Sequence, residues 1–278
     1  MTLFQLAGQC EIRNQSFALI QLIESRGSTP RHSASMIVSE DGKMAGTIGG
    51  GMMERLVLEK ARQALKDGKS QLFHGRMAQQ GEHAVGSDCG GAMTVHIAVY
   101  PRRPSLFLIG GGHVNRAIAQ LAIPLNFEVH VVDTWQANLD HPELPESCHR
   151  RFGETFTSLI DSLPLDEDSL LIIATNHQDK ESLNALSDRP SRFLGLLASR
   201  RKAQHFRQQL AKEGATEERI AHIRSPVGMD IGAETPEEIA ISVMAELLLV
   251  TKGKKHKANI SESLAEPEKK EMAVCAAI

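Results

Sequence analysis

Three consecutive glycines, placed between an apolar run and a helical pattern, could hold a phosphate-bearing ligand. They are Gly110, Gly111 and Gly112, which we call the glycine turn. A second apolar run follows the helical pattern and ends at Asp133. Dinucleotide-binding folds use this order of strand, turn, helix, strand and acid, because glycines let the backbone approach a pyrophosphate whose charge the helix N-terminus favours. The pattern indicates a ligand class and does not define a reaction.

The side chains around the glycine turn leave alternatives open. Asp133 could accept hydrogen bonds from a ribose diol, or it could pair with a neighbouring cation at its strand end. His113 could donate to a phosphate or cap the turn, and we do not expect it to be catalytic. Asn115 occupies the position of the third glycine of a strict Gly-x-Gly-x-x-Gly motif. Two interpretations therefore remain. The crevice beside the glycine turn binds a nucleotide-like ligand, or the domain is a Rossmann-type scaffold whose crevice binds a different ligand or none.

A second glycine-rich segment, residues 46–51, also precedes a helical pattern. It ends with Gly49, Gly50 and Gly51, whose backbone amides could cradle an anion. The alternative is a glycine-rich turn packed against another domain. The segment lacks the Gly-Lys-Ser/Thr ending of a P-loop, so we do not expect triphosphate hydrolysis.

Cys89, which is followed by two glycines, is the thiol with the most suggestive surroundings. An accessible thiolate on a turn could ligate a soft metal such as molybdenum, or act as a nucleophile. The alternative is a small buried residue before a strand. The other three cysteines have no comparable context. The 12 histidines show no His-Glu-x-x-His or similar spacing, so no metal site built by histidines is expected.

Composition limits the classes of function. The chain has 278 residues with 41% hydrophobic and 23% charged content, which is ordinary for a soluble globular protein of roughly two domains. A net charge of −3 gives no electrostatic case for nucleic-acid binding. No apolar run reaches the ~18–20 residues of a membrane span, and no secretory signal is recognisable. Together with four scattered cysteines, this predicts a reduced, cytoplasmic protein without a membrane partner.

The elements that must position these residues divide into two domains and a tail. Residues 1–103 are predicted to form a smaller α+β domain, and residues 104–251 an α/β domain with a Rossmann-like parallel sheet. Residues 252–278 are rich in Lys, Glu and Ser, which predicts a mobile charged tail. The specific elements predicted are a helix at residues 15–25, a hairpin at 35–48, a helix at 52–65, strands at 93–99, 169–174 and 193–197, a helix at 203–212, and a last helix capped by Thr235 with Pro236 and Glu238.

Taken in order, these segments resemble the XdhC/CoxI family, the accessory proteins of xanthine dehydrogenase and related molybdenum hydroxylases. The resemblance runs from about Gly27 to Val250. The matching segments are Gly27-Ser-Thr-Pro-Arg31, Gly46-Thr-Ile-Gly-Gly-Gly51 with Glu54, Cys89-Gly-Gly91, Gly110-Gly-Gly-His-Val114, the strand ending at Asp133, Ser199-Arg-Arg-Lys202, and the long run from Pro226 to Ala240.

The resemblance implies a protein that is not an enzyme. It would bind molybdenum cofactor, protect it during sulfuration by a cysteine desulfurase or sulfurase, and insert it into an apo molybdenum hydroxylase. It would also be a homodimer. By the same resemblance, Cys89 would contact the cofactor and its metal, while the glycines at 49–51 and 110–112 would line the crevice.

Four departures from the family pattern surround that crevice. Asn115 replaces the third glycine, and Thr134 with Trp135 follows Asp133 where the family usually has an arginine. Ala198 stands where glycine is usual, and Asn176 is an extra residue in the usual Thr-His pair. These departures bear on a nucleotide-specific role and leave the predicted fold unchanged.

Three functions therefore compete. The first, which we expect, is a carrier of molybdenum cofactor. This cofactor is a pterin with a phosphate, a dithiolene and a soft metal, so a glycine turn and a thiol suit its binding. The second is an NAD(P)-dependent oxidoreductase, including a sirohaem-type dehydrogenase, although no acid/base pair stands out near the crevice. The third is an interaction module that contacts the hydroxylase or its sulfurase without holding cofactor.

Overall fold

The computed structural model describes residues 1–27, 31–76, 91–175, 177–186 and 188–253. The chain forms two compact units, Met1–Arg103 and Pro104–Ile278. The predictions for Cys89 and for the tail beyond Gly253 lie outside the described residues. Within the described part of the chain, no helix combines the length and the apolar character needed to cross a bilayer.

The first unit is an antiparallel five-stranded sheet with helices. The sheet order is β3-β2-β1-β5-β4. On one side, buried residues of α2 such as Val57 and Ala61 pack on Ile20 and Val95. The elements are α1 Leu3–Ile12, β1 Phe17–Arg26, β2 Ser35–Ser39, β3 Met44–Gly46, α2 Gly51–Asp67, β4 Gln71–Arg76 and β5 Ala92–Tyr100.

The helix predicted at residues 15–25 is wrong, because this segment is the central strand β1. The helical stripe would bury Ile23, yet Ile23 is 56% exposed. The buried residues instead alternate at Ala18, Ile20 and Leu22, which is the period of a strand. Pairing with β2 on one side and β5 on the other decides the conformation, since tertiary burial overrides a short helical pattern.

The other secondary-structure elements predicted for this unit are confirmed. The hairpin joins β2 to β3 around Gly42, whose φ of 83° suits the turn. The helix predicted at residues 52–65 is α2, and it ends at Gly68 in a left-handed conformation. The alternating strand predicted at residues 93–99 is β5.

The second unit is a six-stranded sheet in which every pair of neighbouring strands is parallel. Its order is β11-β10-β9-β6-β7-β8. The elements are β6 Ser105–Ile109, α3 His113–Ala122, β7 Glu128–Asp133, α4 Gln136–Leu139, β8 His149–Phe152, α5 Phe156–Asp161, β9 Leu170–Ile173, α6 Asp179–Leu186, β10 Phe193–Leu196, α7 Arg200–Lys212, α8 Glu217–His222, β11 Ile223–Arg224 and α9 Pro236–Thr251.

This strand order confirms the predicted fold class. Counted within the unit, the order 6-5-4-1-2-3 is that of the Rossmann fold, and its direction reverses between β6 and β9. Ligands of such sheets bind outside the carboxyl ends of the strands at this switch point. Apolar cores cover both faces of the sheet, which explains why the strands are continuous apolar runs.

Two helix starts in the second unit illustrate how local sequence sets the boundaries. The last helix begins as predicted, with Thr235 as N-cap, Pro236 at the first helical position and Glu238 closing the capping box. The helix predicted at residues 203–212 begins earlier, at Arg200. Ser199 causes this, because its side chain accepts the amide hydrogen of Lys202.

Candidate functional site

The glycine turn lies at the carboxyl end of β6, beside the ends of β7 and β9. The amide of Gly110 donates to the carbonyl oxygen of Val132 at 2.8 Å. Gly110 has a φ of +98°, and a Cβ placed on it would lie 2.5 Å from the carbonyl oxygen of Ala174. Only glycine therefore allows the ends of β6 and β9 to approach in this way. The turn is located at the topological switch point.

Asp133 closes the glycine turn from the neighbouring strand. One of its carboxylate oxygens accepts the amide hydrogen of Gly111 at 2.6 Å and the Asn138 side-chain amide at 2.9 Å. The other oxygen accepts the amide hydrogen of Trp135 at 2.8 Å. The residue is only 5% exposed. Asp133 lies where a ribose acceptor is expected, and these three hydrogen bonds engage its carboxylate with the chain itself.

Two buried side chains in the first turn of α3 donate hydrogen bonds to the carbonyl groups of the glycine turn. Asn115 is fully buried and donates to the carbonyl oxygens of Ile109 at 3.2 Å and Gly110 at 2.7 Å. Arg116, which is 3% exposed, donates to the carbonyl oxygen of Gly111 at 2.9 Å. Asn115 thus takes the place of the third glycine by tying the turn to the helix. The sequence signal for this role was the polar pair that follows His113 and Val114.

Gly112 leaves space at the start of α3. It is the N-cap residue, with a φ of −70° and no side-chain cap, and a Cβ on it would meet nothing within 4 Å. The neighbouring His113 is exposed. The first amides of a helix lack intrahelical partners and carry a partial positive charge. An anionic group can therefore approach the backbone closely at Gly112.

An ion pair connects the ends of β9 and β10 near the same edge of the sheet. Asp179 is 2% exposed and accepts hydrogen bonds from the amide of Thr175 at 3.0 Å and its hydroxyl at 2.6 Å. The second Asp179 oxygen accepts from the Lys202 ammonium at 2.6 Å. The sequence singled out Lys202 only as part of the segment Ser199-Arg-Arg-Lys202 that resembles the family, and it did not single out Asp179. The signal was an acid in the first turn of the helix after β9.

The glycine-rich segment of the first unit is occupied by its own acid. The Glu54 carboxylate accepts the Thr47 hydroxyl at 2.5 Å and the amides of Ile48 and Gly50 at 3.0 Å each. The amide of Gly50, one of the backbone donors that the sequence suggested for an external anion, and that of the neighbouring Ile48 therefore already serve Glu54. Its position at the start of α2 also favours the helix dipole.

These contacts affect the acidity of Glu54. Burial acts to raise the pKa of this carboxyl, but the hydrogen bonds from Thr47 and the backbone outweigh it and hold the pKa below its usual value. The segment needs glycine, since Gly49, Gly50 and Gly51 have φ values of 132°, 77° and 71°. Cβ atoms on Gly50 and Gly51 would meet nothing within 4 Å, so a ligand can reach this backbone.

Within each unit, the structure shows how the predicted glycines are held. Gly110, Gly111, Gly112 and Asp133 form one hydrogen-bonded turn in the second unit. Gly49, Gly50 and Gly51 form a loop around Glu54 in the first unit. Cys89, the predicted metal ligand, lies outside the described residues. The ligand-binding roles of all these residues stay predictions.

Comparison with known proteins decides the family. Residues 106–247 match the XdhC Rossmann domain, and residues 12–75 match the XdhC and CoxI family. This chain belongs to the XdhC and CoxI family. The predicted resemblance is therefore confirmed for both units. The XdhC Rossmann domain includes the glycine turn and the strand that ends at Asp133.

Three relatives of this XdhC-family chain illustrate its range. It is 53% identical to the uncharacterized protein YqeB of Escherichia coli K12 over 250 residues, which are 90% of this chain and 46% of YqeB. It is 33% identical to a probable subunit of xanthine dehydrogenase from Bacillus subtilis, over 54% of this chain and 44% of that protein. It is 23% identical to the molybdenum cofactor insertion chaperone PaoD of E. coli, over 90% of this chain and 88% of PaoD.

Two further facts bear on these comparisons. The XdhC-family chain spans less than half the length of the first two relatives. Its fold is similar to a crystal structure of a xanthine dehydrogenase from Bacillus halodurans, with a TM-score of 0.50 and 18% identity over 95% of this chain and 100% of that one.

Two cysteines of the XdhC-family chain lie in the described residues, and both are free and buried. Burial raises the pKa of Cys148 to about 11 and also raises that of Cys10. Because the thiolate is the metal ligand and the nucleophile, neither residue suits those roles at neutral pH. This agrees with the absence of a functional context for them in the sequence.

Proposed function

We propose that this chain is an accessory protein that binds molybdenum cofactor and delivers it to a molybdenum hydroxylase of the xanthine dehydrogenase class. Membership of the XdhC and CoxI family supports an accessory role. The names of two relatives, a probable xanthine dehydrogenase subunit and the chaperone PaoD, point to the same cargo and partner.

The observation that carries the proposal is the open space at Gly112. Molybdenum cofactor carries a phosphate, and the N-terminus of α3 presents unpaired amides at a position where a Cβ would meet nothing within 4 Å. Gly110 and Asp133 fix the turn that presents these amides. The phosphate would bind there, with the pterin in the crevice outside the strand ends.

Release fits the same geometry. Among the described residues, the buried carboxylates at this edge of the sheet already have partners in the chain. Asp133 binds Gly111, and Asp179 binds Lys202. The cargo would therefore be held chiefly by backbone amides and shape, which suits a carrier that must give its cofactor away. The same engagement of charged groups supports a role without catalytic turnover.

The finer parts of the proposal follow the family resemblance. Cys89 would ligate the molybdenum, because a thiolate is a soft ligand, and the loop of Gly49, Gly50 and Gly51 would contribute to the same function. A cysteine desulfurase or sulfurase would act on the carried cofactor before insertion. We propose a cytoplasmic homodimer as the working form.

Anaerobic co-purification from a host that makes molybdenum cofactor tests the proposal. Molybdenum and pterin are quantified per chain for the native sequence, Cys89→Ala, Gly112→Ala and the control Gly8→Ala. Gly8 lies in α1, and a Cβ there also meets nothing within 4 Å. We expect near-stoichiometric pterin that falls in Cys89→Ala and Gly112→Ala and is retained in Gly8→Ala.

Two results would contradict the proposal in different ways. Absence of pterin under conditions where a known molybdoprotein loads would exclude the carrier function, and titration with NAD(P) would then test the oxidoreductase prediction. Pterin bound equally by Cys89→Ala and Gly112→Ala would retain the carrier and remove both residues from its site.

A further inference from the structure

The amino ends of β7 and β8 carry three side chains that can bind a metal. One ligand atom each from Glu128, His130 and His149 lies within 4.8 Å of the other two. We propose that these residues form a binding site for a divalent transition-metal ion, with Zn²⁺ as the ion that fits best. The site is separate from the cofactor crevice, and the proposal does not depend on the proposed function.

The sheet itself brings the three side chains together. Glu128 and His130 are two residues apart on β7, so they project from the same face of the strand. His149 pairs with His130 in the parallel register of β7 and β8, and the two imidazole rings stack with centroids 4.6 Å apart. A pair two residues apart plus a cross-strand partner thus places three ligand atoms near one another. Because imidazole lone pairs lie in the plane of the ring, the exposed His149 ring would turn out of its stack with His130 to share an ion with it.

The ligand set matches the chemistry of zinc. Two histidines and a carboxylate are a set that holds catalytic zinc, with a fourth position open to water or another small ligand. Imidazole also suits other divalent ions of the first transition series. The His149 side chain is 51% exposed and that of Glu128 is 10% exposed, so the cluster reaches from the sheet interior to solvent and offers an entry path.

An unpaired nitrogen supports the proposal independently of this geometry. Nδ1 of His130 is buried and has no hydrogen-bond partner among the described residues. Buried polar atoms are almost always paired, and a bound metal ion would supply the missing partner.

The contact between Glu128 and His149 shows what metal binding must change. Their ligand atoms are 2.5 Å apart and share a hydrogen bond. Two ligands of a tetrahedral zinc ion stand roughly 3.3 Å apart when each bond is about 2.0–2.1 Å. The ion would therefore enter between them, the hydrogen bond would open, and any proton held there would pass to solvent. The exposed His149 side chain is free to make this movement at the sheet edge.

The surroundings place the cluster apart from the glycine turn. Glu128 is the first residue of β7 and Asp133 the last, which separates them by about 16 Å at ~3.3 Å per residue. Arg151 is a nearby cation whose charge acts on His130, but its guanidinium donates to the carbonyl oxygen of Ser162 at 2.9 Å. The Arg151 guanidinium is thus held at the C-terminal end of α5.

Local sequence spacing could not find this cluster. The expectation that no metal site is built by histidines rested on the absence of helical motifs such as His-Glu-x-x-His. Glu128 and His130 belong to one strand, and His149 comes from the next strand along the chain. Only the parallel register joins them, so the useful signal was the Glu-x-His spacing on a strand next to a short edge strand that begins with histidine.

Zinc binding to the full chain tests the proposal. Protein stripped with a chelator is titrated with Zn²⁺ by equilibrium dialysis and elemental analysis, and with Co²⁺ as a spectroscopic probe of nitrogen and oxygen ligation. The variants are His149→Gln and Glu128→Gln. The control is His141→Gln, because His141 also lies near a carboxylate, 3.6 Å from Glu143, but outside the cluster.

We expect one tightly bound Zn²⁺ in the native chain and in His141→Gln, and at least ~10-fold weaker binding in His149→Gln and Glu128→Gln. Zn²⁺ should raise the melting temperature of the native chain and of His141→Gln. The same Zn²⁺ concentration should leave the melting temperatures of His149→Gln and Glu128→Gln unchanged. Comparison of the metal-free melting temperatures identifies any variant that fails to fold. Equal zinc affinity in all four proteins, or no zinc retained by the folded native chain, would overturn the proposal.

Discussion

The carboxylate of Asp133 accepts the amide hydrogen of Gly111 at 2.6 Å. The acid that ends β7 is thereby bound to the turn that ends β6, across the two neighbouring strands. This contact is buried, and it fixes the orientation of the backbone that leads to Gly112 and α3. The acid therefore shapes the ligand-facing turn from behind, whatever it contacts in a complex.

Replacing Asp133 by asparagine should destabilise the second unit. An asparagine side chain has one acceptor oxygen and presents an NH₂ group to the remaining amide donors, so at least one buried donor loses its partner. We expect the free energy of unfolding to fall by about 1–3 kcal/mol, measured by urea denaturation followed by circular dichroism.

The control for this prediction is Asp140→Asn, at the exposed end of α4, which we expect to change stability by less than ~0.5 kcal/mol. Equal stability of Asp133→Asn and the native chain would show that the carboxylate contributes little to the stability of the fold.

Alanine substitutions in the glycine turn should separate folding from binding. Gly110→Ala forces a side chain into a φ of +98° and 2.5 Å from the Ala174 carbonyl oxygen, so we expect a loss of at least ~2 kcal/mol in the free energy of unfolding. Gly112→Ala enters open space at an ordinary φ and should fold with native stability. Thermal denaturation of the two variants measures this difference, and similar losses for both would contradict the geometry of the turn.

The second unit was largely predictable because its signals are local and redundant. Buried parallel strands are short apolar runs, and Thr235, Pro236 and Glu238 specify a helix start without help from the rest of the chain. The glycine turn was located from sequence because a run of glycines between an apolar run and a helical pattern is a local signal, although only Gly110 and Gly111 are sterically constrained. Its internal hydrogen bonds were not predictable, because Asn115 and Arg116 act on carbonyl groups that only the folded turn presents.

The first unit shows where local patterns fail. Residues 17–26 carry apolar side chains at both helical and strand spacings, and only pairing with β2 and β5 selects the strand. Glu54 was noted in the sequence only beside the glycine-rich segment, and its hydrogen bonds with Thr47 and Gly50 depend on a loop of left-handed glycines. Both outcomes depend on contacts that sequence spacing does not contain.

Removing the charge of Glu54 should weaken the first unit in a pH-dependent way. Glu54→Gln keeps one acceptor oxygen but places an NH₂ group near the donors of the glycine loop, so we expect a loss of about 1–2 kcal/mol in the free energy of unfolding at neutral pH. The pKa of Glu54 in the folded chain is below its usual value. Its contribution is therefore complete above the unfolded pKa of about 4.3 and disappears as the pH falls through the folded pKa.

Urea denaturation at a series of pH values measures this effect. The gap in unfolding free energy between the native chain and Glu54→Gln should be largest near neutral pH and shrink below about pH 4. Glu59→Gln, which removes a carboxylate from the same helix, provides the matched control. A gap that stays constant with pH would show that the Glu54 carboxylate is not ionised in its hydrogen-bonded position.

Thiol labelling should distinguish the buried cysteines from the one proposed to bind cofactor. Cys148 has a pKa of about 11 against an ordinary 9.0, so at about pH 8 its thiolate fraction is roughly a hundredfold lower. Cys10 is 1% exposed and its pKa is also raised. We expect iodoacetamide to spare both residues in the folded chain and to modify them after denaturation, as read by peptide mass spectrometry. Rapid labelling of Cys148 under native conditions would contradict its burial. Cys10 and Cys148 should therefore not be labelled in the folded chain. Labelling of Cys89 under native conditions, and its loss when molybdenum cofactor is bound, would then report on the proposed site.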